Sequence, residues 1–143
     1  MDRNTVERLW LRPAPGASPV EVDALELTTG EGIVGDHTRG GMRHITLLWL
    51  DDWNAAASEV GVEVDPVGRR ANVLLSGGTA ARFLDRELML GTARLRVRGV
   101  TAPCPVMDLA APGMMRALKP EARSGVWARV LEGGMIRRGD ILF

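Results

Sequence analysis

Alternating apolar and charged residues over residues 88–100 constrain the fold more than any other feature of the sequence. Within this stretch Arg94, Arg96 and Arg98 alternate with small or branched apolar residues. A period of two is typical of a β-strand that buries one face and exposes the other. We therefore interpret residues 88–100 as a strand, and the three arginines as a solvated face to which no ligand is assigned.

Other short segments have the same strand character and are separated by Gly, Pro and Asp residues typical of turns. The further predicted strands are residues 5–11, 20–27 with a bulge, 45–50, 71–75, 126–130 and 135–143. The last two are joined by a predicted hairpin turn at Glu132-Gly133-Gly134. Short strands in this number predict a mainly β protein, an antiparallel β-barrel that is closed or nearly closed.

Two or three short helices accompany the predicted strands. The clearest begins with Asp51 as its N-cap and stops at Gly61, because Asp favours the first position and Gly the last. A short turn or helical piece is predicted at residues 83–88, and a short helix at residues 114–118. No repeat or inner boundary interrupts the pattern, so we expect a single domain over residues 1–143.

Composition argues against several functional classes. The formal net charge is zero, whereas nucleic-acid and acidic-membrane binding leave a basic footprint. One cysteine cannot form an internal disulfide, which fits a reducing cytoplasm. The amino-terminal residues 1–11 carry charges and lack the apolar core of a signal peptide, and the apolar run 47–50 is too short to span a membrane. We expect a cytoplasmic protein that binds neither nucleic acid nor membrane.

The single cysteine, Cys104, lies between Pro103 and Pro105 in the loop after the predicted strand. Loops at strand ends often carry chemistry, and the two prolines stiffen the backbone around this sulfur. A lone cysteine is most often a small buried apolar residue. The alternative is a nucleophile or soft ligand, whose thiolate nearby guanidinium groups would stabilise.

Positive charge comes almost wholly from arginine, since Lys119 is the only lysine. Besides the amino terminus, Lys119 alone offers an amine for a Schiff base, so a pyridoxal phosphate cofactor is not expected. Arg43, Arg70 and Arg123 lie beside turns. Each is either a surface charge or part of a pocket that binds an anionic ligand beside the thiolate.

The two histidines, His37 and His44, are candidate bases or metal ligands. With Cys104 they would provide three ligands, enough for an open catalytic zinc site but not for a closed structural one. Their spacing matches no short zinc motif, and no glycine-rich phosphate loop or nucleophile elbow is present. The four tryptophans, Trp10, Trp49, Trp53 and Trp127, are interpreted as core.

Several segments, taken in order, resemble MOSC domains, which are the C-terminal domains of molybdenum-cofactor sulfurases and their stand-alone bacterial relatives. The segments are Gly32-Ile33-Val34-Gly35-Asp36, Arg43-His44-Ile45-Thr46-Leu47, Arg70-Ala71-Asn72-Val73, Leu90-Gly91, Pro103-Cys104, Arg123-Ser124-Gly125-Val126 and residues 134–140. The resemblance covers residues 32–143. Each segment alone is a weak match. The resemblance is specific because all the segments occur in the family's order, with the cysteine in the expected position after the long strand.

The resemblance implies a mostly antiparallel β-barrel of the PK-barrel-like kind. It implies that Cys104 is the catalytic residue, which carries sulfur as a persulfide or ligates the molybdenum of the molybdopterin cofactor. A polarizable thiolate suits both roles. The positions it implies for cofactor binding, at the phosphate or the pterin edge, are Arg43, His44, Arg70, Asn72 and Arg123. Asp36 is expected to fix its own loop rather than touch the ligand.

Three functions remain open on the sequence. The first is a carrier that binds molybdopterin or another small anionic ligand and holds sulfane sulfur on Cys104, supplied by a cysteine desulfurase. The second is a molybdenum-dependent reductase of N-hydroxylated compounds. It would need a separate electron-transfer protein, because one cysteine cannot hold an iron–sulfur cluster. The third is a non-catalytic β-barrel binding module whose cysteine is buried.

Overall fold

The computed structural model describes residues 3–143, with the backbone alone for Ala110. The strands are β1 (Thr5–Leu11), β2 (Val20–Val22), β3 (Ala24–Thr28), β4 (Gly32–Ile33), β5 (Ile45–Trp49), β6 (Val73–Ser76), β7 (Glu87–Leu90), β8 (Ala93–Val100), β9 (Val126–Glu132) and β10 (Gly134–Arg137). The α-helices are α1 (Leu50–Val60), α2 (Met107–Ala110) and α3 (Met114–Ala117). Short 3-10 turns cover Pro66–Arg69, Ala80–Phe83 and Pro120–Ala122.

The strands form two sheets. A seven-stranded sheet has the order β2-β1-β6-β5-β9-β8-β7, and a three-stranded sheet has the order β10-β3-β4. Neighbouring strands are antiparallel except β5 and β6, which run parallel. Helix α1 lies in the connection between these two strands, as a parallel pair requires a long crossover.

The prediction of a mainly β protein with few helices is confirmed, but closure into an antiparallel barrel is not. Within residues 3–143 the end strands β2 and β7 of the large sheet do not pair with each other, and β3, β4 and β10 form a sheet of their own. Residues 141–143 form no strand of their own: they make the isolated bridges Thr5 to Ile141 and Leu90 to Leu142, and Phe143 exchanges backbone hydrogen bonds with Met89 in β7. Alternation identifies strands, but it does not specify which distant strands pair.

Several predicted elements have different bounds. Residues 88–100 form two strands, because Gly91 turns the chain in the left-handed region (φ 59°). A Cβ there would also lie 2.2 Å from the Met135 carbonyl oxygen. The predicted strand 20–27 divides at Asp23 into β2 and β3, which belong to different sheets. The predicted hairpin at residues 132–134 is wrong, since β10 pairs with β3 instead of β9.

Helix α1 ends as predicted but begins earlier. Gly61 adopts the left-handed conformation (φ 77°) that closes the helix. Asp51 is not the N-cap, because β5 runs directly into the helix and Trp49 occupies that position without a side-chain cap. The neighbouring Asp52 is buried and accepts a hydrogen bond from the Ala80 amide at 2.8 Å.

The buried residues form two clusters on opposite faces of the large sheet. The larger cluster contains residues from both sheets, among them Leu25, Ile136 and Trp49. The smaller one joins the other face of the large sheet to the helices, through Trp10 and Trp53. Three of the four tryptophans are thus core residues as predicted, whereas Trp127 is half-buried.

Among the described residues, no helix has both the length and the apolar character needed to cross a membrane.

His44 is a buried part of the framework. Its exposure is 1%, and its Nδ1 accepts a hydrogen bond from the Val130 amide at 2.9 Å. An accepting Nδ1 places the proton on Nε2, so the ring is neutral. Nε2 has no hydrogen-bond partner within residues 3–143. Burial, and then the charge of Arg129, lower the pKa of His44.

We predict that the protein loses stability as the pH falls from 7.5 to 5.5. The unfolded chain protonates His44 near the ordinary pKa of about 6.5, whereas the folded chain resists protonation, so the unfolded state binds more protons. The free energy of unfolding should fall by up to about 1.4 kcal/mol per pH unit below that value. Denaturant titration at several pH values measures it.

His37, the other histidine, is exposed and provides the matched control. The His37→Gln variant should keep the pH dependence, and His44→Gln should flatten it. An unchanged slope in His44→Gln would show that a different group is responsible.

Candidate functional site

A cavity of about 240 Å³ lies where residues flanking the large-sheet strands meet, and we call it the arginine cavity. Four arginines line it: Arg12 after β1, Arg43 before β5, and Arg69 and Arg70 before β6. The rest of the lining is Thr38, Thr46, Thr101 and Ala102. None of these described lining residues carries a carboxylate. Guanidinium groups in this number make the cavity suited to an anion.

In the wall of the arginine cavity, Arg12 donates hydrogen bonds to two neutral oxygens and pairs with one carboxylate. Its Nη1 donates to the Arg70 carbonyl oxygen at 3.1 Å, and its Nη2 donates to Asn72 Oδ1 at 3.0 Å. Nη2 also pairs with Asp36 Oδ2 at 3.3 Å. The charge of Arg12 is therefore compensated by a carboxylate, unlike that of the other three lining arginines within the described structure.

Asp36 closes its own turn, as predicted, and also reaches the strands behind the cavity. Its Oδ2 accepts hydrogen bonds from the Thr38 amide and hydroxyl, and its Oδ1 accepts from the Arg12 amide at 2.8 Å. Burial opposes ionisation of this carboxyl, but the Thr38 hydrogen bond and the Arg12 guanidinium outweigh it and keep the pKa of Asp36 below its ordinary value.

Asn72 is fully buried directly behind the cavity and connects three segments. Its Oδ1 accepts from the Thr46 amide at 3.0 Å as well as from Arg12. Its Nδ2 donates to the Trp10 carbonyl oxygen at 3.2 Å and to Asp36 Oδ1 at 3.1 Å. One amide side chain thus fixes β1, β5 and the Asp36 turn relative to one another.

The two consecutive arginines are held differently. Arg70 adopts the left-handed region (φ 64°), which is uncommon for a residue with a Cβ and is typical of functional sites. Its Nη2 donates to the Ala17 carbonyl oxygen at 2.5 Å. Arg69 donates from Nε to the Ser124 carbonyl oxygen at 2.7 Å. The Nη groups of Arg69 make no hydrogen bond within residues 3–143, so they remain available to a ligand.

Cys104 is exposed, which excludes the interpretation of this residue as a buried apolar side chain. Its loop begins with Thr101 and Ala102, which line the arginine cavity. Thr101 and Ser124 exchange hydroxyl-to-carbonyl hydrogen bonds, so the base of the loop is fixed beside Arg69.

The pKa of Arg69 depends on its burial and on nearby charged groups. Burial lowers the pKa of Arg69, Cys104 opposes this decrease, and the charges of Arg12 and Arg43 add to it. Arg69 nonetheless stays ionised at neutral pH, as arginine does in proteins. The loop that carries Cys104 therefore begins in the wall of a positively charged cavity.

The structure brings together some of the predicted site residues and separates others. Arg43 and Arg70 line the arginine cavity, and Asn72 supports it from behind. His44 does not line it. Arg123 does not line it either, and its Nη1 instead donates to Glu59 Oε1 at 2.9 Å and to the Ala117 carbonyl oxygen at 3.0 Å.

The three-ligand zinc arrangement considered from the sequence is not formed. Within the part of the chain that the structure describes, no three His, Cys, Asp or Glu residues are grouped to hold a metal ion. His37, His44 and Cys104 therefore do not make a metal site together.

Sequence reasoning missed Arg12, Arg69, Thr46 and Thr101. Arg12 met the criterion applied to the other arginines, because it lies between a predicted strand and Pro13. Thr46 is the one polar residue of strand Ile45–Trp49, which was a usable signal. The sequence around Thr101 and Arg69 gave no comparable indication of a site, because the positions of both side chains depend on hydrogen bonds to the distant Ser124.

We predict that Asn72→Ala destabilises the protein by about 2–3 kcal/mol, because it leaves the Thr46 amide and the Trp10 carbonyl without a partner in the interior. Denaturant unfolding measures this change. Asn54, exposed on α1, is the matched control, and Asn54→Ala should change stability by less than about 0.5 kcal/mol. Equal effects of the two substitutions would contradict the role given to Asn72.

Comparison with solved structures shows the same fold in proteins from bacteria. The chain is similar to the YuaD protein from Bacillus subtilis, with a TM-score of 0.78 and 21% identity over 99% of this chain and 94% of that chain. It is also similar to YiiM from Escherichia coli, with a TM-score of 0.68 and 19% identity over 98% of this chain and 68% of that chain. YiiM from Geobacillus stearothermophilus gives a TM-score of 0.69 and 18% identity over 99% and 71% of the two chains.

No protein with a curated functional description matches the sequence. The model of the MOSC domain family matches residues 35–142, a range that contains Arg43, Arg69, Arg70 and Cys104 but not Arg12. Since this match covers most of the chain, and since the ordered segments noted in the sequence point the same way, the chain belongs to the MOSC domain family.

Proposed function

We propose that this protein binds the molybdenum cofactor and presents Cys104 as a sulfur carrier or as a ligand of molybdenum. The observation that carries the proposal is the arginine cavity, which four arginines line and whose wall includes Thr101 and Ala102, the first residues of the loop that carries the exposed Cys104. A positive cavity and a soft sulfur on an adjoining loop are the two features that a phosphate-bearing cofactor with a soft metal needs.

The chemistry of the lining fits the phosphate of such a cofactor. Arg43, Arg69 and Arg70 have no carboxylate partner among the described residues, and the charge of Arg12 is compensated by Asp36. A doubly charged phosphate monoester would compensate most of the remaining positive charge. When bound, the cofactor supplies a redox-active metal next to Cys104.

The proposed sulfur transfer needs a partner that already carries a persulfide, such as a cysteine desulfurase. The Cys104 thiolate attacks the outer sulfur of that persulfide, a new S–S bond forms on Cys104, and the partner leaves as a thiolate. One S–S bond breaks and one forms, so no external oxidant is required.

The surface beside Cys104 favours a protein partner. Val106 is 51% exposed and Leu109 is 85% exposed on the segment that follows the cysteine. Apolar side chains next to a reactive sulfur are suited to transient protein contact. The same surface would serve an electron-transfer protein if the bound cofactor reduces N-hydroxylated compounds, which is the second candidate function.

We predict that protein co-expressed with cofactor biosynthesis retains molybdenum and that Cys104→Ser loses most of the metal. Elemental analysis of purified protein measures the metal, and fluorescence of the oxidised pterin measures the organic part. Arg69→Met should lower both, while Arg138→Met, which removes an exposed arginine paired with Asp23, should lower neither. If Cys104→Ser keeps as much metal as the wild type, Cys104 does not ligate it.

We predict that incubation with a cysteine desulfurase and cysteine adds one sulfur atom to Cys104, detected by mass spectrometry of the intact protein. Arg69→Met should slow this addition by about three- to tenfold, because the nearby positive charge stabilises the reacting anion. Arg138→Met changes the net charge equally and should not slow it. A wild-type protein that gains no sulfur would rule out the carrier role.

A further inference from the structure

Trp127 differs from the other tryptophans in what its ring contacts. It is half-buried, and the guanidinium carbon of Arg43 lies 5.7 Å from the ring centroid. A cation at this distance over an indole ring is attracted by the negative face of the ring. Within residues 3–143 Arg43 forms no ion pair and no side-chain hydrogen bond, so the ring is its principal polar contact.

The position of the Trp127 ring depends on a glycine across the strand pair. Trp127 in β9 is paired with Gly99 in β8 on one side and with Thr46 in β5 on the other. A Cβ at Gly99 would lie 2.5 Å from Trp127 Nε1 and 3.0 Å from Cε2. Any larger residue at position 99 would therefore displace the ring.

Arg43 lies in the wall between two cavities. It lines the arginine cavity, and it also lines an adjoining hollow of about 360 Å³ formed by residues of segment 37–43. Arg43 precedes β5 and lies outside regular secondary structure. The Arg43 residue is exposed, and the contact with the Trp127 ring is the polar interaction recorded for its guanidinium within residues 3–143.

We propose that Trp127 is a positioning residue for anion binding, whose ring holds the Arg43 guanidinium in the wall of the arginine cavity, with Gly99 providing the space for the ring. Neither residue is required to touch the anion. The inference rests on the proposed function in one respect, that the arginine cavity receives an anion, and it is independent of the role of Cys104.

The test is the affinity of the full chain for inorganic phosphate, measured by calorimetry. Trp127→Leu should weaken binding by about two- to fivefold, the range expected for one lost cation–π contact at an exposed site. Trp127→Phe keeps an aromatic face and should restore much of the affinity. Gly99→Ala should weaken binding although it removes neither Arg43 nor Trp127. Denaturant unfolding of each variant identifies those that fold.

A double-mutant cycle separates positioning from a general structural effect. If Trp127 acts through Arg43, then Trp127→Leu should cause no further loss in an Arg43→Met background. Arg138→Met removes an exposed arginine that pairs with Asp23 and does not line the cavity, so it should leave phosphate affinity unchanged.

The inference is overturned by unchanged affinity in folded Trp127→Leu, or by an equal loss from this substitution in the presence and absence of Arg43. Phosphate binding that is absent in the wild type would overturn it as well, together with the proposed role of the cavity. Sulfur loading of Cys104 is measured separately and would then decide whether the carrier function stands without anion binding.

Discussion

The buried amide of Asn72 fixes the geometry on which the rest of the site depends. It accepts from Thr46 and Arg12 and donates to Trp10 and Asp36, so the end of β1, the start of β5 and the Asp36 turn are joined through one side chain. A buried amide that lacked these partners would be destabilising, and one that has all of them rigidifies its surroundings. The arginine cavity is built on this network.

Four positive charges in one small cavity repel one another, and the structure compensates this in a different way for each arginine. Arg12 faces the carboxylate of Asp36, Arg69 and Arg70 donate to backbone carbonyl oxygens, and Arg43 lies over an aromatic ring. Only the first of these compensations involves a full negative charge. A site arranged in this way is preorganised for an anion, because an anion relieves repulsion that neutral partners leave in place.

The sequence predicted the mainly β class, the strand Thr5–Leu11, the Gly61 helix stop and the family, all of which depend on local pattern or on ordered motifs. It did not predict the parallel pairing of β5 and β6 or the division into two sheets. Those features depend on contacts between strands distant in the chain, and a pattern with a period of two is the same whichever strand lies alongside.

For the candidate site, the sequence by itself determined the chemical types: a single thiol between prolines, abundant arginine and a near absence of lysine. Tertiary structure alone decided which arginines converge. It placed Arg12 and Arg69 in the cavity with Arg43 and Arg70, and it directed Arg123 to Glu59 on α1. The physical reason is that the sequence specifies which residue types are present. The direction of a long charged side chain instead depends on the groups it contacts, and folding brings those groups from distant segments.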